Sequence, residues 1–381
     1  MIEFKLPSLG SDMDEGTLLE WKVQPGERVT RGQVIAVVDT AKAAVDVECW
    51  QEGEVFELLI ESGTKIPVGT PMVSLLEPGE RPENVQHTAP SPAQPVPQAP
   101  DVMKGAPVLA AATRPRISPA ARKRAAELGL DAGSLSGSGP HGVVSLEDVE
   151  AAAAAAPPVD RYALMRQAIA AAMSRSKREI PHYYLGETIA LGKLMAWLQA
   201  HNAELPPEQR LLPAVALLKA VALALREYPQ FNGFWQGGTL QPAPGIHLGV
   251  AISLRQGGLI APALHDVDDK PLPQLMSEFS DLVQRARSGS LRSSELSDGG
   301  LTVTQLGEQG VDSVFGVIYP PQVALVGFGA IAERPWVEDG QLCVRPVVVA
   351  SLAADHRASD GHQGARFLAA IRRLLQEPES L

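Results

Sequence analysis

The sequence predicts a multidomain protein with an all-β barrel or sandwich first, a small α-helical unit second and a larger α/β domain third. Three observations predict this order: glycine-punctuated β-branched runs, then capped helix starts around a glycine-rich loop, then helical stretches alternating with apolar strand-like runs. The folded units are expected at residues 1–79, 114–152 and 161–381, with linkers at 80–113 and 153–160.

The first unit reads as strands because its apolar runs, such as residues 34–38, are short and β-branched. Glycines recur between these runs, where turns are expected, at Gly26, Gly32, Gly53, Gly63 and Gly69. The segment that follows is dominated by proline and alanine and has almost no large apolar residues. Such a composition cannot build a core and stays extended, so about 30 residues span about 90 Å.

The middle unit begins with Ser118 and Pro119, a helix cap followed by a proline at the first helical position. A second capped start follows at Ser145, and the loop 137–142 lies between the two helices. So small a unit has a thin core, which favours a docking role over an enzymatic one. The alanine run 151–156 is either a linker or the end of a helix stopped by proline.

The third unit mixes both periodicities and is large enough for a catalytic core. The predicted helices lie at residues 211–228, 274–287 and 364–375. The predicted strands lie at residues 248–253, 323–327 and 347–352.

The composition and charge of the chain argue against several classes of function. The 381 residues carry a formal net charge of −11, and lysine and arginine are scattered, so nucleic-acid binding has little support. Cys49 and Cys343 are too few and too distant for a disulfide framework or a metal site, and a reducing cytoplasm fits them. No targeting signal or membrane-spanning run is evident, so no membrane partner is expected. The scattered cations and the two distant cysteines likewise predict neither a nucleic-acid partner nor a bound metal.

Lys42 stands in a short polar break between two alternating strand patterns, which places it at a hairpin tip. Alone it would be an ordinary solvated lysine. With the surrounding glycine and valine pattern, the unit resembles a lipoyl domain. The resemblance implies that lipoic acid is attached to Lys42 through an amide, which removes the charge and adds a long arm. Biotin carriers are the nearest alternative, but they place methionines where Ala41 and Ala43 stand here; lipoyl domains have Asp at the first of these positions.

The middle unit resembles the peripheral subunit-binding domain of 2-oxo acid dehydrogenase complexes. In that family basic side chains bind a partner enzyme, which here points to the cluster Arg122, Lys123 and Arg124. Ala126 and Val143 replace arginines of the family pattern, so the choice of partner stays open. A solvated helix start with incidental charge is the alternative interpretation.

A candidate general base, His356, follows the last predicted strand in the sequence Asp-His-Arg-Ala-Ser-Asp-Gly. This stretch resembles the D-H-R-x-x-D-G signature of dihydrolipoamide acyltransferases and chloramphenicol acetyltransferases, and the resemblance covers most of residues 160–381. It implies a chloramphenicol-acetyltransferase-like mixed sheet, homotrimers that assemble into a larger core, and transfer of an acyl group from the lipoyl arm to coenzyme A. We expect Asp360 to stabilise the site rather than to act as an acid.

Thr304 is the candidate oxyanion donor, because the run 299–307 resembles the family stretch ending in T-I-S/T-N. Gln305 and Tyr319 stand where the family has asparagines. In the family, the histidine and the hydroxyl come from adjacent subunits.

The resemblance implies two partner enzymes, a thiamine-diphosphate-dependent 2-oxo acid dehydrogenase and dihydrolipoamide dehydrogenase. Acetyl from pyruvate is the first choice of acyl group, and branched-chain acyl, succinyl and acetoin-derived acetyl are the alternatives. A non-catalytic lipoyl scaffold would lack the pair His356 and Thr304, and a free-standing small-molecule acetyltransferase would lack the first two units. The size of the core stays open.

Overall fold

The protein was analysed as a computed structural model that describes residues 1–8, 15–40, 44–77, 117–127, 133, 135–155, 161–254 and 258–381. Its contacts divide the chain into two compact units. One unit contains residue 1 and residues 76–159, and the other contains residues 2–75 and 160–381. The carrier-like N-terminal module and the large C-terminal domain therefore belong to the same compact unit. Within the described residues, no helix is both long and apolar enough to cross a membrane.

The N-terminal module is all β, and two sheets enclose its core. One sheet has the order β1 (Ile2–Lys5), β8 (Pro71–Leu76), β6 (Gly53–Leu58) and β3 (Arg28–Val29). The other contains β5 (Ala44–Cys49), β4 (Gln33–Asp39), β2 (Glu15–Trp21) and β7 (Lys65–Pro67) in that order. In β5, Val45 and Val47 are buried in this core, whereas Ala44 and Asp46 are half-buried. Gly26, Gly32, Gly63 and Gly69 have positive φ, so these turns use the left-handed region that favours glycine.

The small helical region contains α1 (Pro119–Glu127) and α2 (Leu146–Ala155). The predicted caps are both present: Ser118 Oγ accepts from the Ala121 N–H at 3.1 Å, and Ser145 Oγ accepts from the Asp148 N–H at 3.2 Å. Helix α2 includes alanines 151–155, which supports the helical interpretation of the alanine run. The core is thin and consists of Ala121, Ala125, Val144 and Val149.

The C-terminal domain is built on a mixed seven-stranded sheet. Its path is β15 (Ala263–Leu264), β12 (Leu248–Val250), β17 (Leu301–Gln305), β18 (Ala324–Phe328), β20 (Gln341–Asp355) and β19 (Ala332–Glu338), and β9 (His182–Ala190) also pairs with β20. Strands β12, β17 and β18 are parallel to one another, whereas β18 and β20 are antiparallel. Short pairs are formed by β10 (Gly233–Gln236) with β11 (Thr239–Pro242) and by β13 (Ile252–Ser253) with β14 (Leu259–Ile260).

The helices that accompany this sheet are α3 (Arg161–Glu179), α4 (Gly192–Asn202), α5 (Pro213–Glu227), α6 (Leu272–Ser288), α7 (Ser293–Ser297) and α8 (Gly361–Leu375). Helix α5 is almost wholly apolar and is buried along most of its length, so it forms the centre of the core together with α8 and the sheet. The predicted helices correspond to α5, α6 and α8, and none of their ends is displaced by more than three residues. The confirmed fold class places His356 directly after the longest strand, β20.

One further strand joins the two halves of this compact unit. Strand β16 (Ser290–Arg292), which follows α6, pairs in parallel with β5 of the N-terminal module, with Ser290 opposite Ala44 and Arg292 opposite Asp46. The sheet of the module therefore has a fifth strand that comes from the C-terminal domain. No sequence pattern predicted this pairing.

Candidate active site

His356 is exposed on a rigid turn between β20 and α8. Its backbone N–H donates to the carbonyl of Pro181 at 3.0 Å, which ties the turn to the segment that precedes β9. The ring of Tyr183 meets the imidazole edge to face, with the two ring centroids 5.3 Å apart. The side chain is thus positioned by its neighbours while its nitrogens remain accessible to a substrate.

The residues on either side of His356 form an ion pair that supports the turn. Asp355 is completely buried, and its two carboxylate oxygens accept from Nε of Arg357 at 2.9 and 3.1 Å and from Nη2 at 2.6 Å. The guanidinium also lies over the ring of Trp235, 4.8 Å from the centroid. Asp355 and Arg357 therefore hold the backbone on both sides of the histidine.

Asp360 is the N-cap of helix α8. Its Oδ1 accepts from the Gln363 N–H at 2.9 Å, and its carbonyl accepts from the hydroxyl of Tyr183 at 2.8 Å. The same hydroxyl lies 2.8 Å from Oγ of Ser359. Asp360 thus stabilises the start of α8 and, through Tyr183, the ring that packs against His356.

His182 connects the turn to the loop before β18, a role that sequence reasoning missed. Its Nδ1–H donates to the carbonyl of Ile180 at 2.9 Å, and its Nε2 accepts from the Ile318 N–H at 3.1 Å. Burial lowers the pKa of His182, and nearby Lys177 adds to this effect. The ring is therefore a neutral, fixed imidazole. The loop it holds leads to the cis peptide bond between Pro320 and Pro321.

Thr304 and His356 are not brought together within one chain. Thr304 is opposite Gly327, and Gly327 is opposite Ser351 of β20. His356 lies five residues after Ser351, one residue beyond the end of β20. Two strand spacings and five residues of nearly extended chain separate the two Cα atoms by about 19 Å. A transfer site that contains both side chains must therefore take them from two different chains.

Thr302 lies on the same face of β17 as Thr304 but is committed to a structural contact. Its hydroxyl donates to Oε1 of Gln322 at 2.6 Å, and Nε2 of Gln322 donates to the carbonyl of Gly299 at 2.7 Å. Thr304 is only half-buried. Of the two threonines, Thr304 is therefore the more accessible one.

Two further histidines, His247 and His265, lie together beside the turn that precedes β17. The rings of His247 and His265 are 4.8 Å apart, and Nε2 of His265 lies 3.1 Å from Oδ2 of Asp298. Burial lowers the pKa of His247, and the neighbouring His265 lowers it further. Burial opposes ionisation of Asp298, but hydrogen bonds from His265 and Ser297 outweigh it and lower the pKa of the carboxyl. Within the described residues, no group of three potential ligands suits a metal ion.

Lys42 lies outside the described residues, but the strands that flank it are described. Strands β4 and β5 pair antiparallel up to Asp39 opposite Ala44, so residues 40–43 connect the two strands of a hairpin. The strands expected on both sides of Lys42 are therefore present and paired.

The basic cluster of the helical region is on α1. Arg122 and Lys123 are exposed, whereas Arg124 is half-buried and its Nε lies 4.0 Å from Glu150 on α2. The first two side chains are therefore available to a partner, and the third also supports the packing of the two helices.

Family models match each part of the chain. The model of the 2-oxoacid dehydrogenases acyltransferase (catalytic domain) matches residues 158–381, more than half of the chain. The chain belongs to this family. The model described as biotin-requiring enzyme, biotin or lipoyl attachment, matches residues 2–75, and the e3 binding domain matches residues 115–150. The resemblances noted from the motifs are confirmed for all three parts.

Curated relatives of this acyltransferase are similar along nearly their whole length. The dihydrolipoyllysine-residue acetyltransferase component of the pyruvate dehydrogenase complex of Rhizobium meliloti is 31% identical, over 99% of this chain and 98% of that protein. The corresponding component of the acetoin cleaving system of Bacillus subtilis is 30% identical, over 100% of this chain and 99% of that protein. Acyltransferases of this family with these modules use covalent lipoic acid as cofactor and coenzyme A as acyl acceptor, and this chain is a dihydrolipoyllysine-residue acyltransferase.

Two solved structures are similar to the C-terminal domain. Azotobacter vinelandii dihydrolipoamide acetyltransferase, solved to investigate the catalytic role of a serine, a histidine and an asparagine, is 29% identical with a TM-score of 0.53 and covers 59% of this chain and 98% of its own. The cubic core of a pyruvate dehydrogenase multienzyme complex has the same identity, TM-score and coverage. Both confirm the predicted acyltransferase fold of this domain.

Proposed function

We propose that this acyltransferase moves an acetyl group from a lipoyl arm on Lys42 to coenzyme A, with His356 as general base and Thr304 of a second copy as oxyanion donor. The observation that carries the proposal is the placement of His356. It is exposed, yet its backbone and ring are held by Pro181, by Tyr183 and by the ion pair of Asp355 with Arg357.

His356 accepts the thiol proton of coenzyme A, because a neutral imidazole has a lone pair on one ring nitrogen that can take up a proton. The thiolate attacks the carbonyl carbon of the acyl thioester, and the bond to the old sulfur breaks as the tetrahedral intermediate collapses. His356 then returns its proton to the departing sulfur, so the catalyst is regenerated. When attached, lipoic acid supplies the thioester and the reach of a flexible arm.

The Thr304 hydroxyl would donate to the oxygen on which negative charge builds during attack. Removal of one such donor costs about 3 kcal/mol in other enzymes. The separation of about 19 Å between Thr304 and His356 in one chain supports a site formed by two chains. The similar pyruvate dehydrogenase structure is a cubic core, and we propose a trimer-based core here as well.

The acyl group and the partners follow from the relatives. Acetyl is favoured because the relatives named above are acetyltransferases of pyruvate dehydrogenase and acetoin cleaving complexes. The match to the e3 binding domain favours dihydrolipoamide dehydrogenase as the partner of Arg122 and Lys123. A thiamine-diphosphate-dependent 2-oxo acid dehydrogenase would load the arm, and a cytoplasmic location fits the two free cysteines.

Substitution of the histidine tests the chemistry. His356→Ala should lower coenzyme A acylation from free acetyl-dihydrolipoamide by about 100-fold or more, because general base catalysis is lost. His362→Ala, six residues further on and also exposed, is the matched control and should remain near wild type. Turnover near wild type in His356→Ala would reject the assignment.

Substitution of the lysine tests the carrier. Lys42→Arg should remove the lipoyl mass increment in intact-protein mass spectrometry and abolish transfer from the protein's own arm. Acylation from free acetyl-dihydrolipoamide should persist, since His356 is untouched. A lipoylated Lys42→Arg protein would place the arm elsewhere.

A panel of acyl-dihydrolipoamides assayed with wild type would then rank acetyl against branched-chain and succinyl groups.

A further inference from the structure

We propose that residues 290–296 of the catalytic domain form a docking surface that recognises the open edge of the chain's own lipoyl module, with Glu48 as the specificity-determining residue. The surface comprises strand β16 and the first turns of α7. It is distinct from the residues assigned to acyl transfer. The proposal rests on the proposed function only in treating the N-terminal module as a mobile carrier.

The backbone of the surface completes an unpaired sheet edge. Strand β5 is the last strand of its own sheet, so a free module would present its N–H and C=O groups to any available strand. Strand β16 pairs with it over three residues, Ser290 to Arg292 opposite Ala44 to Asp46. Recognition by strand addition gives affinity through main-chain hydrogen bonds and leaves specificity to side chains.

The side chains at the end of this pairing supply that specificity. The Glu48 N–H donates to Oγ of Ser293 at 3.3 Å, and Oγ of Ser294 donates to the Glu48 carboxylate. Glu48 is only 5% exposed although it is on the face of β5 that points away from the core of the module. Leu296 of α7 contacts the apolar cores of both the module and the catalytic domain. Backbone pairing, two hydrogen bonds of Glu48 and the apolar contact of Leu296 therefore all involve one short segment, residues 290–296.

The charges around Glu48 indicate that the contact between the module and residues 290–296 can open. Arg285 forms a bidentate pair with Glu295 and another bond with Asp281, so this cation stabilises α7 rather than Glu48. Among the ion pairs of the described residues, none involves Glu48, whose carboxylate is held by a serine hydroxyl. A buried carboxylate without a cation has a desolvation cost. Only three residue pairs join β16 to β5, so few main-chain hydrogen bonds have to break when the carrier leaves.

Hydrogen exchange of the full-length protein, followed by mass spectrometry, tests the side-chain recognition. Glu48→Lys should increase amide exchange at residues 44–49 and 290–292 together by about tenfold or more, because a hydrogen bond to a charged group is lost and a like-sized cation is buried. Glu54→Lys makes the same charge change on the exposed face of β6, in the other sheet of the module, and should leave both segments unchanged. Unchanged exchange at both segments in Glu48→Lys, or an increase at only one of them, would overturn the proposal.

A disulfide test keeps the proposal falsifiable if Glu48→Lys unfolds the module. Ala44→Cys with Ser290→Cys joins paired positions, whereas Ala44→Cys with Arg292→Cys is offset by two residues, about 7 Å. On oxidation the first pair should crosslink at least tenfold faster and within one chain. Equal rates, or crosslinks only between chains, would contradict docking of the chain's own module. Both tests read contact rather than turnover, so failure of docking and failure of the proposed acyl transfer are distinguishable.

Discussion

The carboxylate of Asp355 accepts hydrogen bonds from two nitrogens of the Arg357 guanidinium. His356, which lies between these two residues in the sequence, remains exposed. The pair fixes the backbone on both sides of the histidine, and Trp235 covers the outer side of the guanidinium. The proposed general base is therefore held in place by neighbours to which no chemical step is assigned. This separation of roles leads to the first prediction.

Asp355→Ala should lower the free energy of unfolding by about 3 kcal/mol or more, because it leaves the Arg357 guanidinium and the Arg357 backbone N–H without their buried partner. Arg357→Lys should cost about 1 kcal/mol, since a lysine keeps the charge but loses the fork and the stacking on Trp235. Urea denaturation monitored by circular dichroism measures both. A loss below about 1 kcal/mol in Asp355→Ala would show that the pair does not support the turn.

Asp360→Ala should lower the free energy of unfolding by about 1 kcal/mol through loss of the helix cap, whereas Asp360→Asn should be nearly neutral because asparagine caps equally well. Acetyl transfer by Asp360→Asn should stay within about threefold of wild type. The same denaturation series and a steady-state assay check both values. A large loss of turnover in Asp360→Asn with unchanged stability would instead assign the carboxylate a chemical role.

Much of this architecture could be predicted from local pattern. The apolar run 347–352 and the Asp-His-Arg motif placed His356 at the end of a strand, and the helices α5, α6 and α8 followed from 3.6-residue periodicity. The helix caps at Ser118 and Ser145 could be predicted in the same way, because each serine contacts a residue only three positions further on. These features depend on neighbours within a few residues, which a sequence displays directly.

Contacts between distant residues could not be predicted in this way. His182 is recognised as a fixed imidazole only through Ile318, 136 positions away, and Glu48 meets Ser294 across 246 positions. The distance between Thr304 and His356 depends on the register of two strand pairs. Composition and periodicity carry no information on register between strands so far apart, so these relationships emerge only from the folded chain.

The pH dependence of stability should reflect His182. Its pKa is lowered in the folded protein by burial, and its unfolded value is near 6.5, so the unfolded chain binds more protons in the range below 6.5. Its contribution to stability is therefore complete above pH 6.5 and is lost as pH falls through the folded pKa. His247, with a pKa lowered by burial and by His265, acts in the same direction.

Urea denaturation at pH 7.5 and pH 5.5 checks this sign, with lower stability expected at the acidic value. His182→Gln removes one titrating group and should reduce the difference between the two pH values, although it lowers stability at both. Greater stability at pH 5.5 than at pH 7.5 in wild type would be incompatible with two neutral, buried imidazoles.

The two threonines of β17 offer the sharpest separation of chemistry from structure. Thr304→Ala should lower kcat by about 100-fold with little change in stability, because its half-buried hydroxyl is the proposed oxyanion donor. Thr302→Val should instead destabilise the fold by about 1 to 3 kcal/mol, since Oε1 of the buried Gln322 loses its donor. Thr304→Ser should retain most activity. If Thr304→Ala lost stability and kept its kcat, the donor would have to be sought elsewhere on the facing chain.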